Sequence, residues 1–131
     1  MYSSSDAWFL TSLIFSEGWS SLKQVIKTGD LINHAILTKD EINNALSVFV
    51  DSGYVEINDR KQMRATGMAL KLRNISFYFA GLFRKTDIIL ERLNREKEKR
   101  SAHKTEYFTI SEIEHAYREY IEDMHKSKPI S

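Results

Sequence analysis

The stretch TKDEINNALSVFVDSGYVEINDRKQMRAT, residues 38–66, decides the fold of this chain. Thr38 and Glu41 have the T-x-x-E spacing of a capping box, in which two side chains satisfy two backbone donors at a helix start. Gly53 fits the left-handed position that follows the last helical turn. The spacing therefore predicts a helix from Thr38 to Ser52 that stops abruptly.

A β-hairpin is predicted directly after this helix. Residues 54–57 alternate as in a strand, and residues 62–65 form the return strand. The tip between them, Asn58 to Lys61, is rich in turn-forming residues. Thr66 and Gly67 then begin another helix.

Two helices are predicted before residue 38. The first begins at Ser5 or Asp6, continues to about Ser16 and ends at Gly18. The second begins at Ser20 or Ser21, and its apolar face recurs at helical spacing at Leu22, Val25, Ile26, Gly29 and Ile32. A glycine inside a helix costs about 1 kcal/mol relative to alanine. Gly29 thus indicates either a close helix–helix approach or a local bend.

The chain beyond residue 67 also reads as mainly helical. Residues 68–100 form one helical pattern with a break near Arg73 and Asn74, and its apolar stripe consists of Phe79, Leu82, Phe83, Ile89, Leu90 and Leu93. The charged run from Arg92 to Lys104 indicates a solvated helix end, with a nucleic-acid arm as the alternative. Tyr107 and Phe108 are either a short strand or an apolar clamp. Thr109 with Glu112, or Ser111 with Glu114, can cap a last helix that ends near Met124.

Composition narrows the class of protein. The 131 residues include no cysteine, which excludes disulfides and thiolate metal sites and suits a cytoplasmic protein. No segment approaches the roughly 18 apolar residues of a membrane span, and the N-terminus lacks the features of a signal peptide. We expect one domain at residues 1–74 and a helical extension at 75–131, packed on the core or used for dimerisation.

Charge is distributed unevenly along the chain. The net charge is +1, but residues 53–104 hold 13 Lys or Arg against 6 Asp or Glu. The flanking parts, residues 1–52 and 105–131, each hold 3 basic and 6 acidic residues. A basic central block therefore lies between two acidic ones.

Two segments resemble the bacterial winged helix-turn-helix superfamily, of the MarR-like and PadR-like kind. LSVFVDSGYVEI, residues 46–57, is similar to the passage from recognition helix to wing, and MRATGMAL, residues 63–70, is similar to the return strand and next helix start. The resemblance covers about residues 6–72, and INHAILTKDEINNAL is also similar to winged-helix proteins with no assigned role. Gly67 departs from the pattern because it follows Thr66 directly. The implied fold is mainly α with a small β-hairpin, a winged helix-turn-helix with additional C-terminal helices.

The resemblance implies a transcriptional regulator that binds double-stranded DNA. Its recognition-helix contacts would come from the outward residues Lys39, Asn43, Asn44 and Ser47, with Asp40 beside them. Its wing contacts would come from Arg60, Lys61 and Arg64. Asparagine pairs with adenine in the major groove, whereas lysine and arginine contact phosphates.

Other functions stay open at this point. The recognition helix carries more acid than base, which favours a protein–protein interaction module that contacts a basic partner and binds no DNA. A third alternative is a sensor of an apolar ligand. The distribution of charge distinguishes the two main readings. DNA binding is favoured if one basic surface contains Lys39, Arg60, Lys61 and Arg64. Protein binding is favoured if that surface is neutralised by Asp40, Asp51 and Glu56.

The assembly expected from the sequence is a homodimer. The cluster Phe77-Tyr78-Phe79 with Phe83 is large for so small a domain, so the first helix and the helices beyond residue 74 are expected to pack on a second copy. An apolar effector pocket could lie at that interface.

We find no catalytic motif and expect no enzyme activity and no cofactor. His115 and Glu119 have i,i+4 spacing, but two helical ligands do not make a metal site. His34 is expected to be a structural hydrogen-bonding residue.

Overall fold

The computed structural model describes residues 2–16, 18–95 and 104–126. Its elements, in chain order, are α1 (Ser4–Ser16), α2 (Leu22–Asn33), α3 (Lys39–Ser52), β1 (Val55–Ile57), β2 (Met63–Ala65), α4 (Gly67–Leu70), α5 (Ile75–Phe79), α6 (Leu82–Arg95) and α7 (Ile110–Lys126). The prediction of a mainly helical chain with one small hairpin is confirmed for these residues.

The helix boundaries around the hairpin follow from local hydrogen bonds. Thr38 and Glu41 form the predicted capping box at the start of α3. Ser21 forms an equivalent box with Gln24 at the start of α2. Gly53 has a φ of 86° and ends α3 in the left-handed conformation. These starts and stops are therefore encoded locally.

The hairpin is joined to the helices through a short bridge. β1 and β2 are antiparallel, with Ile57 opposite Met63. Ser20, between α1 and α2, pairs with Met63 on its other side through N···O distances of 2.7 and 2.8 Å. Met63 is completely buried. The end of β2 nearest the turn is thus fixed to the core.

Helix α1 is the centre of the fold. It packs against α2, α3 and α6, and residues 6–14 are all buried. The expectation that the first helix supplies a dimer surface is therefore wrong, because the elements packed around α1 already cover it. The buried cluster includes residues from both sides of residue 74, among them Phe9, Phe49, Ile89 and Tyr120.

Gly29 allows α1 and α2 to approach closely. The indole N–H of Trp8 donates to the carbonyl oxygen of Gly29 at 3.0 Å. A Cβ atom at position 29 would lie 3.1 Å from Cδ1 of the buried Leu37. Of the two explanations for this glycine, the structure supports close approach.

The long helical pattern after residue 67 is divided into three helices. The predicted break near Asn74 is confirmed, and the Asn74 side chain caps α5 by accepting from the N–H of Phe77 at 2.9 Å. A second break, not predicted, falls at Ala80 and Gly81. Because of it, α5 and α6 are separate helices, and the Lys85 ammonium on α6 joins them by donating to the Phe77 carbonyl on α5.

The last helices pack on the core. Helix α6 packs on α1 and α2, and α7 packs on α2. Thr109 and Glu112, the first of the two predicted pairs, cap α7. Glu91 and Arg95 form an ion pair one turn apart in α6, as expected of a solvated helix end, whereas residues 96–103 of the charged run lie outside the described residues. No helix in the described parts of the chain combines the length and apolar character that crossing a bilayer requires.

The two glycines that flank the hairpin provide a test of the left-handed stop. We expect Gly53→Ala to lower the free energy of unfolding by about 1 kcal/mol, because a Cβ atom is strained at positive φ. Gly67→Ala is the matched control: no atom lies within 4 Å of its Cβ position, and it begins a helix. It should be neutral or slightly stabilising in urea unfolding. Equal destabilisation by both substitutions would contradict this assignment.

Candidate functional site

The outer face of α3 is covered by residues 104–109, which we call the cover segment. Asn43, on that face, is only 8% exposed. Its Oδ1 accepts hydrogen bonds from the backbone N–H groups of Tyr107 and Phe108 at 2.9 and 3.0 Å. Its Nδ2 donates to the carbonyl oxygen of Phe108 at 2.9 Å. The Asn43 amide thus provides hydrogen-bond partners for backbone groups of the cover segment, which has no neighbouring strand to pair with among the described residues.

Ser47, one turn further along α3, binds the same segment. The N–H of Thr105 donates to Ser47 Oγ at 2.9 Å, and this hydroxyl in turn lies 2.8 Å from the Asn43 carbonyl oxygen. Ser47 is also buried. The expectation that Asn43 and Ser47 face outward is therefore wrong: both side chains are engaged with backbone groups of their own chain.

Two lysines expected to contact phosphates instead form ion pairs with acidic residues near the cover segment. Lys39 Nζ lies 2.6 Å from Glu106, and its hydrogen bond to this carboxylate raises the pKa of Lys39. Lys61 Nζ lies 3.0 Å from Glu112 and 5.4 Å from the centre of the Phe108 ring. Because both lysines are already paired with carboxylates, a phosphate would have to displace these ion pairs to contact them.

Glu112 has two roles at the start of α7. It accepts a hydrogen bond from the N–H of Thr109 at 3.0 Å, and it pairs with Lys61 on the hairpin. The Thr109 N–H and the Lys61 ammonium together hold the pKa of the Glu112 carboxyl below its ordinary value. The helix cap and the contact with the hairpin tip are thus coupled through one carboxylate.

The remaining basic residues of the hairpin differ in their surroundings. Arg64 pairs with Glu56 across the hairpin at 3.1 Å, and its guanidinium lies 4.4 Å from the centre of the Trp19 ring. Arg60 is exposed at the tip, as Asn44 is on α3. Neither of these two side chains forms a hydrogen bond or an ion pair with another side chain within the described residues.

Most of the basic side chains expected to contact DNA are paired with carboxylates of the same chain. Glu56 neutralises Arg64, as one of the two readings requires. Glu106 and Glu112 neutralise Lys39 and Lys61, and the sequence had not singled out either carboxylate for this role. Of the seven predicted DNA contacts, Asn44 and Arg60 alone are exposed and unpaired within the described chain. The structure does not assemble the common basic surface.

The cover segment is the functional feature that sequence reasoning missed. One signal for it existed, because Tyr107 and Phe108 are an apolar pair outside any strong helical pattern. Phe108 is in fact buried and the segment forms no strand, so the apolar-clamp alternative is confirmed. What the sequence did not show was its docking place, which is the α3 face on which DNA contacts were expected.

A second feature is exposed apolar surface on α5 and α6. We call it the aromatic patch; its members and exposed fractions are Ile75 73%, Tyr78 62%, Phe79 84% and Phe83 57%. Phe77, by contrast, is buried in the core. The patch is continuous with α2 through His34, whose ring lies 4.9 Å from that of Phe83. His34 also ends α2 in the left-handed conformation, with its backbone N–H donating to the Asp30 carbonyl at 2.7 Å, whereas the hydrogen-bonding role expected of its side chain stays a prediction.

The described residues contain no group of three or more His, Asp or Glu side chains that could hold a metal ion. His115 and Glu119 contact each other at 3.2 Å on the surface of α7. The groove between α2 and α7 is lined by Lys23, Gln24, Lys27, Tyr120, Asp123 and Met124. Most of these side chains are polar, so this groove is unlike the apolar effector pocket expected at a dimer interface.

The neighbours Asn43 and Asn44 give a matched test of the cover segment. We expect Asn43→Ala to lower the free energy of unfolding by about 3 kcal/mol, because buried backbone groups lose three hydrogen bonds. Asn44→Ala removes an identical but exposed side chain and should change it by less than about 0.5 kcal/mol. Hydrogen exchange should also accelerate at the Tyr107 and Phe108 amides in Asn43→Ala alone. Unchanged protection there would show that Asn43 does not hold the segment.

A carboxyl titration followed by NMR tests the Glu112 contact. Lys61→Gln should raise the pKa of Glu112 towards its ordinary value, while Arg60→Gln, with the same change in net charge, should leave it nearly unaltered. Because the folded-state pKa is lowered, the stabilisation from Glu112 is present above the unfolded-state pKa and is lost as the pH falls through the folded-state pKa. Equal pKa shifts in the two variants would mean that the Lys61 contact is not specific.

No protein-family model, curated protein or solved structure matches this chain. The surfaces on the molecule itself are therefore the basis for a functional proposal.

Proposed function

We propose that this protein is a cytoplasmic, non-catalytic protein–protein interaction module of the winged-helix kind, and that α3 does not read DNA. The observation that carries the proposal is the attachment of the cover segment to Asn43. A helix reads bases by placing its outer side chains against their edges in the major groove. On α3, the backbone of residues 105–108 occupies that position.

The winged-helix assignment is supported by the order of elements. Helices α2 and α3 are joined by a short turn, and an antiparallel hairpin follows α3 at once. The Ser20–Met63 bridge places the segment between α1 and α2 beside the hairpin. Three packed helices with a ribbon on one side are a common solution for such an order.

Electrostatics disfavour DNA as the partner. Phosphate neutralisation supplies most of the affinity of DNA-binding proteins. Here Lys39, Lys61 and Arg64 already contact carboxylates of the same chain. DNA would have to replace these ion pairs as well as displace the cover segment.

An interaction role is supported by the aromatic patch. Ile75, Tyr78, Phe79 and Phe83 are largely exposed apolar side chains on two adjoining helices. Large exposed apolar patches on globular proteins mark interaction sites, because water disfavours contact with them. The covered α3 face is accordingly closed to a partner, and the α5–α6 surface is open to one.

Titration of random duplex DNA at two salt concentrations tests this proposal. We expect no binding at low salt. Binding that falls steeply with salt, with a slope reduced by Arg60→Ala together with Lys61→Ala, would establish a DNA-binding protein and refute the proposal.

A pair of double variants tests whether the carboxylates merely conceal a DNA site. Glu106→Gln with Glu112→Gln frees Lys39 and Lys61, whereas Glu114→Gln with Glu122→Gln changes the net charge equally at exposed residues of α7. We expect no DNA binding by either. Salt-sensitive binding by the first double variant alone would identify an inhibited DNA-binding face and overturn the proposal.

A further inference from the structure

The aromatic patch is held rigidly in its exposed position. Asn74 fixes the start of α5 through its cap. The buried Lys85 fixes the junction with α6, because its ammonium donates to the Phe77 carbonyl and lies 4.3 Å from the centre of the Phe77 ring. Phe77 is turned into the core and its ring packs edge-on against that of Tyr78, whereas Tyr78 and Phe79 stay mostly exposed. The patch is therefore a preformed surface.

The apolar area of the patch is sufficient for a symmetric contact. A fully exposed aromatic side chain offers about 200 Å². At the exposed fractions of its four members, the patch offers roughly 550 Å² per chain, and two such patches approach the ~1,000 Å² of total buried area that a stable interface needs.

The charges beside the patch are self-complementary. Arg84 and Asp87 are exposed on the outer face of α6, one turn apart, and neither forms an ion pair within the described chain. When two such helices cross antiparallel about a two-fold axis, Arg84 of each copy lies opposite Asp87 of the other. An isologous interface of this kind forms each ion pair twice.

We propose that the occupant of the aromatic patch is a second copy of this chain, joined through an antiparallel α6–α6 contact in which Phe83 lies beside the two-fold axis and Phe79 lies further out. The inference rests on the proposed interaction role and names its partner. It also places the dimer contact on α5 and α6 without α1, which lies inside the core.

A second copy fits this surface better than an anionic membrane does. Asp87 and Glu91 are exposed on the same helix as Phe83. Exposed Arg84 and Arg95 balance these carboxylates, so the exposed face of α6 lacks the excess of basic side chains that attracts a helix to an anionic lipid surface. Against another α6, the same mixed charges are attractive.

Light scattering and sedimentation of the full chain over a range of concentrations test the dimer. We expect a concentration-dependent dimer in the wild type and a monomer in Phe79→Glu. The matched control is Ile110→Glu, which places the same charge on an exposed apolar residue of α7 and should leave the dimer intact. Circular dichroism of both variants verifies that they are folded. A wild type that stays monomeric at all concentrations would overturn the proposal, as would a dimer unaffected by Phe79→Glu.

Charge reversal tests the arrangement of the two helices. Arg84→Glu alone and Asp87→Arg alone should each weaken dimerisation on the order of tenfold, since like charges then face each other across the interface. The double variant restores opposite charges and should recover most of the lost affinity. A double variant no better than the singles would refute the antiparallel α6 contact.

Two further measurements separate this inference from the proposed function. Vesicles containing phosphatidylserine provide the membrane probe: a monomeric wild type that binds them and loses binding in Phe79→Glu would overturn the second-copy assignment. The DNA titration is independent of the patch. A monomer that does not bind DNA would refute the dimer alone, and a dimer that binds DNA would refute the proposed function alone.

Discussion

The side-chain amide of Asn43 is the interaction on which the outer surface of this protein depends. An irregular segment can be buried only where its backbone donors and acceptors find partners. Asn43 supplies two acceptor contacts and one donor contact to residues 107 and 108, and Ser47 supplies a further partner to residue 105. Once these bonds are formed, Phe108 is buried, and so are the Asn43 and Ser47 side chains on this face of α3.

The carboxylates of the same region reinforce this arrangement. Glu106 and Glu112 bring two acidic groups of the C-terminal block to Lys39 and Lys61. Surface ion pairs contribute little stability individually, so their main effect here is on the electrostatic potential of the α3 face. Of these two pairs, Lys61–Glu112 joins the basic central block to the acidic C-terminal block, whereas Lys39 belongs to the N-terminal block.

Much of the fold could be predicted because its signals are local. The capping boxes at Thr38 and Thr109 and the stop at Gly53 each depend on residues within one turn of helix. The break at Ala80 and Gly81 was missed, since Phe79, Leu82 and Phe83 continue an apolar stripe across it. The sequence pattern shows that these residues are apolar. It does not show which of them is buried, and in the structure Phe77 lies in the core while Phe79 and Phe83 are exposed.

The site was harder to predict than the fold for a physical reason. The sequence by itself determined where helices start and stop, and which residues on α3 and the hairpin have the chemistry to bind DNA. Only the tertiary structure decided what those residues contact, because the cover segment lies 58 to 65 positions further along the chain from Ser47 and Asn43. An exposed asparagine and one that binds a buried backbone are identical in sequence. Burial and hydrogen-bond pairing are properties of the packed chain, and in the packed chain Asn43 binds backbone groups of its own protein.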